Sequence, residues 1–473
     1  MKLALVSLSQ DKREPPLGLI SIATYLKKFG NFDNIKIIDK NFDNIFEKIL
    51  EIKPDLIGIS AMTVHYYDAI ELAKKIKTSL NIPIIIGGVH ISTLPSSLKK
   101  DFDIAVIGEG EQIMLELLKL YEKGGFSKKK LKKINGLAFY DESKLVITKP
   151  IEPINPLDKI PIPDRSFLNN EYFRKIRHYD GSYGSLASMT TSRGCPFSCV
   201  FCSTSHFWKT IRFNSINHMI EEIKYLKERY NVNHIDIFDD LFTTNKTRLK
   251  EFVKAFKKEK IDGIYFSCAS HAATIDEELC QLLKEINVNW LGFGFESGSE
   301  KMIKYLKKGT LKVEQSKKVI ELCKKYDINV TGSLIFGSPY EKIEDMKETL
   351  KFMDFAKKYP NVLDMWSFVM TPFPGTEIWG IAKERNKVSD DMDWRLLSHQ
   401  NFDNPLLLDP DVNKEEFKKI FLEGRRRLKY FKWKRITKEL KRDPIWVLKQ
   451  TIKKPKYAVN LLFKKTLLAE SKL

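Results

Sequence analysis

Short apolar runs alternate with amphipathic segments twice along this chain. In the first 125 residues, runs at 2–8, 36–39, 56–60, 83–87 and 104–107 have the length and composition of buried strands. Between them, 17–29, 44–52, 64–80 and 111–122 repeat apolar residues at helical spacing. Strands alternating with helices of this length predict a parallel, doubly wound (Rossmann-like) α/β sheet. Residues 134–148 read as a small hairpin. Pro150, Pro153, Pro156, Pro161 and Pro163 then exclude a continuing helix or central strand. The alternation resumes near residue 185, with strands predicted at 186–191, 234–239, 265–268, 291–296, 331–336 and 366–370 and helices such as 215–230 and 276–286. Six βα units in this length predict a partial (β/α)6 barrel, whose chemistry belongs at the C-terminal ends of its strands. The expected organisation is a doubly wound domain at 1–130, a hairpin and Pro-rich linker at 131–180, the barrel at 181–390 and a basic helical region at 391–473.

Composition narrows this picture. No run of 18 apolar residues suggests a transmembrane helix. The N-terminus, Met1-Lys2-Leu3-Ala4-Leu5-Val6, lacks the shape of a signal peptide and reads as a first strand, which points to a cytoplasmic protein. Six cysteines in 473 residues make no disulfide scaffold; three fall within eight residues, while Cys268, Cys280 and Cys323 are scattered. In a reducing compartment such a cluster suggests metal. Charge is lopsided: residues 424–473 hold 17 Lys/Arg against 3 Asp/Glu, a net +14 of the chain's +19. There the run from Arg425 to Arg435 interleaves cations with Phe431 and Trp433, and Trp446 and Phe463 follow. This pattern suits peripheral attachment to an anionic membrane surface, or equally a solvated helix covering the barrel. Nucleic acid is less favoured, since no helix-turn-helix pattern accompanies it.

The cysteine segment reads Thr190-Thr191-Ser192-Arg193-Gly194-Cys195-Pro196-Phe197-Ser198-Cys199-Val200-Phe201-Cys202. Three thiolates at this spacing suit three irons of a 4Fe–4S cubane and leave the fourth iron open, whereas structural clusters close all four. The competing reading is a zinc knuckle with His206 as fourth ligand. The segment resembles the radical-SAM superfamily signature, with Phe201 as its aromatic. That resemblance implies a cluster on Cys195, Cys199 and Cys202 whose open iron binds S-adenosylmethionine, and reductive cleavage to a 5′-deoxyadenosyl radical.

Further segments carry the resemblance. Gly292-Phe293-Gly294-Phe295-Glu296-Ser297-Gly298 resembles the family's G-x-E-S-G element, which implies S-adenosylmethionine contacts at Glu296 and Ser297. Asp239-Asp240 lies where the family has an acidic element facing the methionine ammonium; an N-cap is the plain alternative. Gly337 lies in a segment similar to the element packing on adenine, and Lys307 or Lys308 is placed to pair the methionine carboxylate. Pro372-Phe373-Pro374-Gly375-Thr376 resembles a sixth-strand element of the cobalamin-linked branch, or is turn chemistry.

The N-terminal part is similar to the cobalamin-binding branch at Ser60-Ala61-Met62-Thr63, Gly87-Gly88 and Gly108-Glu109-Gly110, so Ser60, Met62, Thr63, Gly87, Gly88, Gly108, Glu109 and Gly110 are expected corrin contacts. Asp39 survives from a D-x-H-x-x-G motif but its histidine does not; His65 and His90 are the nearby alternatives. The resemblance implies cobalamin-dependent methylation of an unactivated carbon, with oxidation, ring closure or carbon–carbon coupling without methyl transfer as the alternative. It also implies a small-molecule or lipid substrate and an electron donor such as ferredoxin or flavodoxin. A corrinoid or Fe–S sensor is the remote alternative. Tyr265, Tyr340 and Cys268 are radical- or proton-relay candidates by location alone, and no catalytic residue is assigned.

Overall fold

The computed structural model describes residues 1–173, 175–177, 183–208 and 210–442. The first sheet has seven strands: β1 (Leu3–Ser7), β2 (Ile35–Asp39), β3 (Leu56–Ser60), β4 (Ile84–Gly87), β5 (Ile104–Val106), β6 (Leu137–Asp141) and β7 (Lys144–Ile147), in the order β2-β1-β3-β4-β5-β6-β7. The first five are parallel, and each alternates its side chains between two covered faces. Leu3 and Leu5 pack with Leu19, Leu26, Ile113 and Leu117 of helices Leu17–Gly30 and Gly110–Glu122. Ala4 and Val6 pack on the other side with Ile45, Ile49, Ala69 and Ile70 of helices Ile45–Ile52 and Tyr66–Ser79. The hairpin expected beside the linker is β6–β7. It extends this sheet, because Ala138 and Leu137 pair antiparallel with Ala105 and Val106.

The second sheet comprises β8 (Lys175–Arg177) and β9 (Tyr183–Met189), followed, after a two-strand ladder of β10 (Ser192–Arg193) and β11 (Arg212–Phe213), by β12 (His234–Ile237), β13 (Tyr265–Ser270), β14 (Val288–Glu296), β15 (Asn329–Phe336) and β16 (Val362–Val369). Its order is β16-β15-β14-β13-β12-β9-β8. The six strands β9 and β12–β16 are parallel and intervening helices such as Ile216–Tyr230 and Glu277–Glu285 cover them, so their C-terminal ends open on one side.

Helix Lys414–Arg442 is the described part of the basic region. Phe417, Phe421 and Phe431 sink into the barrel core, with Phe421 edge-on to Phe336 at 5.7 Å, and Arg427 pairs with Asp354. Tyr430 and Trp433 remain exposed. Trp446, Phe463 and the rest of the tail lie outside the described residues. Among the described residues, no helix is long and apolar enough to cross a membrane.

Candidate active site

The cysteine loop leaves the end of β9 and is shaped by the two acids that follow β12. The buried Asp239 carboxylate accepts from the Thr191 and Ser192 backbone N–H groups at 2.5 and 3.0 Å and from both hydroxyls at 2.5 and 2.7 Å. Asp240 accepts from the Gly194 N–H at 3.2 Å and from the Thr204 hydroxyl at 3.1 Å. Gly194 stands at φ +105°, where a Cβ would meet the Thr210 carbonyl oxygen at 2.7 Å, so only glycine makes this turn without displacing backbone. The loop also donates from Val200 N–H to the Leu306 carbonyl at 3.1 Å.

Cys195, Cys199 and Cys202 are free thiols lining one wall of a cavity of about 330 Å³ at the strand ends. Burial pushes the Cys195 thiol up to about 11 and raises Cys199 as well, although the Lys307 charge opposes it. Among the described residues, no three His, Cys, Asp or Glu side chains converge on a single ion. Thiols spread along a wall suit separate corners of a cubane, and bound iron would deprotonate them. His206, the fourth ligand of the zinc reading, is exposed and does not line the cavity.

A charged pair lines the same cavity. Glu296 ends β14 at φ +60°, where the register against β15 shifts, and its carboxylate meets the Lys307 ammonium at 2.9 Å. Both are buried. Gly294 makes room: a Cβ there would lie 2.1 Å from Glu296 Oε1. Burial works against the Lys307 charge, but Glu296 and then Cys199 outweigh it and hold its pKa above the usual lysine value. Lys307 also lies 5.5 Å from the Phe201 ring centroid. Lys308 points elsewhere, onto Glu377. Of the two lysines the sequence offered, the cavity therefore selects Lys307.

A second cavity, of about 380 Å³, opens at the C-terminal ends of the first sheet. Ser60, Gly87, Gly88, Gly108, Glu109 and Gly110 form its rim, and it reaches inward to Leu5, Gly58 and Met114. Its far wall is the barrel, including Phe238 and Asp240. Asp240 lines both cavities. A salt-bridge network joins the two sides. Arg193, one residue before Gly194, donates to Glu109 at 2.5 Å and to Glu111 at 2.6 Å; Arg212, its partner across the β10–β11 ladder, donates to Glu109 at 2.9 and 3.0 Å. The base of the cysteine loop is thus clamped to the loop that follows β5.

Several residues expected as contacts lie outside the linings of the two cavities or are held by protein partners. Asp239 lines neither cavity, because four donors saturate its carboxylate. Ser297 is buried on Thr349 and Ser299, and Gly337 donates to Glu341 beneath Phe417; neither reaches the cysteine cavity. Met62 is exposed and Thr63 is bonded to His90, both away from the sheet cavity. Glu109 lines that cavity, but its oxygens serve the two arginines. His90 is wholly buried with both ring nitrogens partnered by Thr63 and Ser97, and neither His90 nor His65 lines the cavity. Asp39 accepts from the Tyr172 hydroxyl at 2.6 Å instead. Tyr265, Tyr340 and Cys268 line neither cavity, and Thr376 caps helix Glu377–Glu384. Sequence reasoning missed Ser270, His271 and Trp366, which do line the cysteine cavity. Burial, and then the Lys307 charge, pushes His271 down to about 4. The strand-end rule could have flagged it, had β13 been drawn to Ser270 rather than Cys268.

Comparison with known proteins agrees with both halves. Residues 189–353 match the family model of the radical SAM superfamily, and residues 5–118 match the B12 binding domain. An uncharacterized methyltransferase of Pyrococcus horikoshii is 34% identical over 392 residues, covering 80% of this chain and 81% of its own length. The anaerobic magnesium-protoporphyrin IX monomethyl ester cyclase of Rubrivivax gelatinosus is 29% identical over 389 residues, 80% of this chain and 68% of the cyclase. The fold is that of the radical S-adenosylmethionine methyltransferase TsrM of Kitasatospora setae, solved with cobalamin and a [4Fe-4S] cluster: TM-score 0.69 at 19% identity, over 89% of this chain and 82% of that one.

Proposed function

The chain belongs to the radical-SAM enzymes that carry an N-terminal B12-binding domain, and from that premise we propose that it is a cobalamin-dependent methyltransferase acting on an unactivated carbon of a small molecule. One observation carries the reading: a thiol-lined cavity and a sheet-end cavity meet at the single side chain of Asp240. Both sites fit the groups implied. Three free thiols on one cavity wall suit a cluster, and a cavity rimmed by side-chain-free glycines, reaching to apolar Leu5 and Met114, suits a planar corrinoid with its tail.

When bound, the cluster supplies an electron for reductive cleavage of S-adenosylmethionine to a 5′-deoxyadenosyl radical, and the corrinoid supplies a methyl carrier. The protein's part is positional. Cys195, Cys199 and Cys202 hold the cluster, and Gly194 with Asp240 sets their loop. Glu296, Lys307 and Phe201 form the wall against the co-substrate, with Asp240 at the junction. Asp239, Ser297 and Gly337 act at one remove, by fixing the backbone that carries those groups. The Arg193–Glu109–Arg212 clamp fixes the distance between the cavities. A small-molecule substrate and a low-potential electron donor, such as ferredoxin or flavodoxin, complete the reaction. The reading extends to a lipid or isoprenoid-like substrate met at a membrane surface, supported by the exposed Tyr430 and Trp433 among the cations of the last described helix.

The test is anaerobic reconstitution with iron, sulfide and a corrinoid, followed by S-adenosylmethionine, reductant and a host small-molecule and lipid extract. Corrinoid retention, 5′-deoxyadenosine and a product heavier by one CH₂ are expected. Replacing the three loop cysteines with alanine abolishes the brown colour and the 5′-deoxyadenosine. Formation of 5′-deoxyadenosine with a product that gains no methyl group would move the chain to the oxidative cyclase reading, and absence of bound corrinoid would end the methyl-transfer reading.

A further inference from the structure

His271 follows the last residue of β13 and is 4% exposed. Its ring stacks on Phe197 of the cysteine loop, with centroids 4.0 Å apart and planes at 13°. Nδ1 accepts the Ala273 backbone N–H at 3.3 Å, which caps the short turn Ala272–Thr274. That bond settles the tautomer of a neutral ring: the proton sits on Nε2. Nε2 is buried and has no hydrogen-bond partner among the described residues, and the ring lines the cysteine cavity. A buried N–H left unmet is costly, so native proteins rarely keep one without a partner to satisfy it. Lys307, which already holds Glu296, lines the same cavity. Two donors on one cavity, one cationic and one neutral, describe a site for an anionic acceptor.

We propose that His271 is a positioning residue that donates from Nε2–H to an anionic acceptor in the cysteine cavity. Two sources supply such an acceptor: the carboxylate of S-adenosylmethionine and a sulfide of the cluster. The inference rests on the radical-SAM reading of that cavity, and the two can fail separately.

Two substitutions divide the roles of the ring. His271→Asn places an oxygen near Nδ1, keeping the cap on Ala273 while deleting the deep donor. His271→Gln places an N–H near Nε2 but gives up the cap. Wild-type and variant proteins are reconstituted with iron, sulfide and corrinoid, and iron per chain is counted. S-adenosylmethionine affinity is read by titration of the reduced-cluster EPR signal, and midpoint potential by redox titration without co-substrate. For a carboxylate acceptor, His271→Asn weakens S-adenosylmethionine binding about tenfold or more at unchanged iron content, and His271→Gln restores most of it. For a sulfide acceptor, affinity holds and His271→Asn lowers the midpoint potential, again with recovery in His271→Gln. A capping role alone gives the reverse order, with His271→Asn silent and His271→Gln damaged, and overturns the proposal. So does a His271→Asn protein that matches wild type in both readings. Wild-type protein that takes up no iron or binds no S-adenosylmethionine refutes the reading of the cavity itself.

Discussion

Arg193→Met tests whether charge holds the two cavities together. Methionine keeps the apolar stem of Arg193 and removes the guanidinium. Glu109 barely notices, because Arg212 and the Ile154 N–H at 2.9 Å still satisfy it. Glu111 keeps the Ser21 hydroxyl at 2.7 Å but no cation, inside a site where its side chain is 3% exposed. Breaking a buried pair from one side typically costs about 3–5 kcal/mol. Glu111 has an escape, however: it can take up a proton. In the intact protein burial works against its charge, but Arg193 outweighs burial and holds its pKa below the ordinary 4.5. Its ionised form therefore stabilises the wild type above about pH 4.5, and that contribution is lost as pH falls through the depressed folded value. Without Arg193, protonating Glu111 against its unfolded pKa of 4.5 costs 1.36 kcal/mol per pH unit, which limits the pH-dependent part of the loss to about 3.4 kcal/mol at pH 7 and about 1.4 kcal/mol at pH 5.5, on top of the pH-independent stabilisation the intact pair supplied. Urea unfolding followed by circular dichroism at the two pH values measures both losses. The deficit of Arg193→Met should shrink by up to about 2 kcal/mol on acidification, and adding Glu111→Gln should recover most of that pH-dependent part at pH 7. A deficit of equal size at both pH values, indifferent to Glu111→Gln, would show that packing rather than charge joins the two sides.

Other consequences can be checked on the same protein. Asp239→Asn removes an acceptor from four donors and should lower thermal stability and iron uptake, while Asp240→Asn should load iron normally and weaken S-adenosylmethionine binding; the opposite assignment would make Asp239 the contact. Gly87→Leu projects into the sheet cavity past Val106, whose Cβ lies 3.9 Å from the new Cβ, so corrinoid retention should vanish from the visible spectrum at unchanged iron content. Burial pushes Glu341 up to about 8, so the native state favours its protonated form: that contribution is full below about pH 4.5 and lost as pH rises through about 8. Glu341→Gln keeps an oxygen for the Gly337 and Ser338 N–H groups, and should be more stable than wild type at pH 8.5 but not at pH 5 by thermal melting.

Strand positions and the cysteine loop were legible because they rest on local pattern. Apolar runs at period two or fully buried mark strands wherever helices cover both faces, and Cys195, Cys199 and Cys202 lie too close in sequence to be scattered by any fold. The hairpin's destination was not legible. Nothing within 134–148 says that Leu137 and Ala138 will seek β5, since that pairing satisfies the bare edge of a strand thirty residues away. The same limit separates the acids. Asp239 and Asp240 are adjacent and alike in sequence, yet alternation after β12 turns one into the loop's hydroxyls and the other into the cavities.

Charge pairing was the least legible layer. A glutamate after β5 and an arginine before Gly194 each read as a surface or ligand-binding residue when taken alone, and the motif around Glu109 suggested a corrin contact. Their meaning appears only once the fold places Arg193 and Arg212, 84 and 103 residues along the chain from Glu109, on one ladder facing Glu109 and Glu111. Burial then forbids leaving any of the four unpaired. A carboxylate committed in this way has little capacity left for a ligand, which is why the residues that best matched a cofactor motif, Glu109 and Asp239, hold the framework, and why an unremarked histidine at the end of β13 keeps a free donor in the cavity.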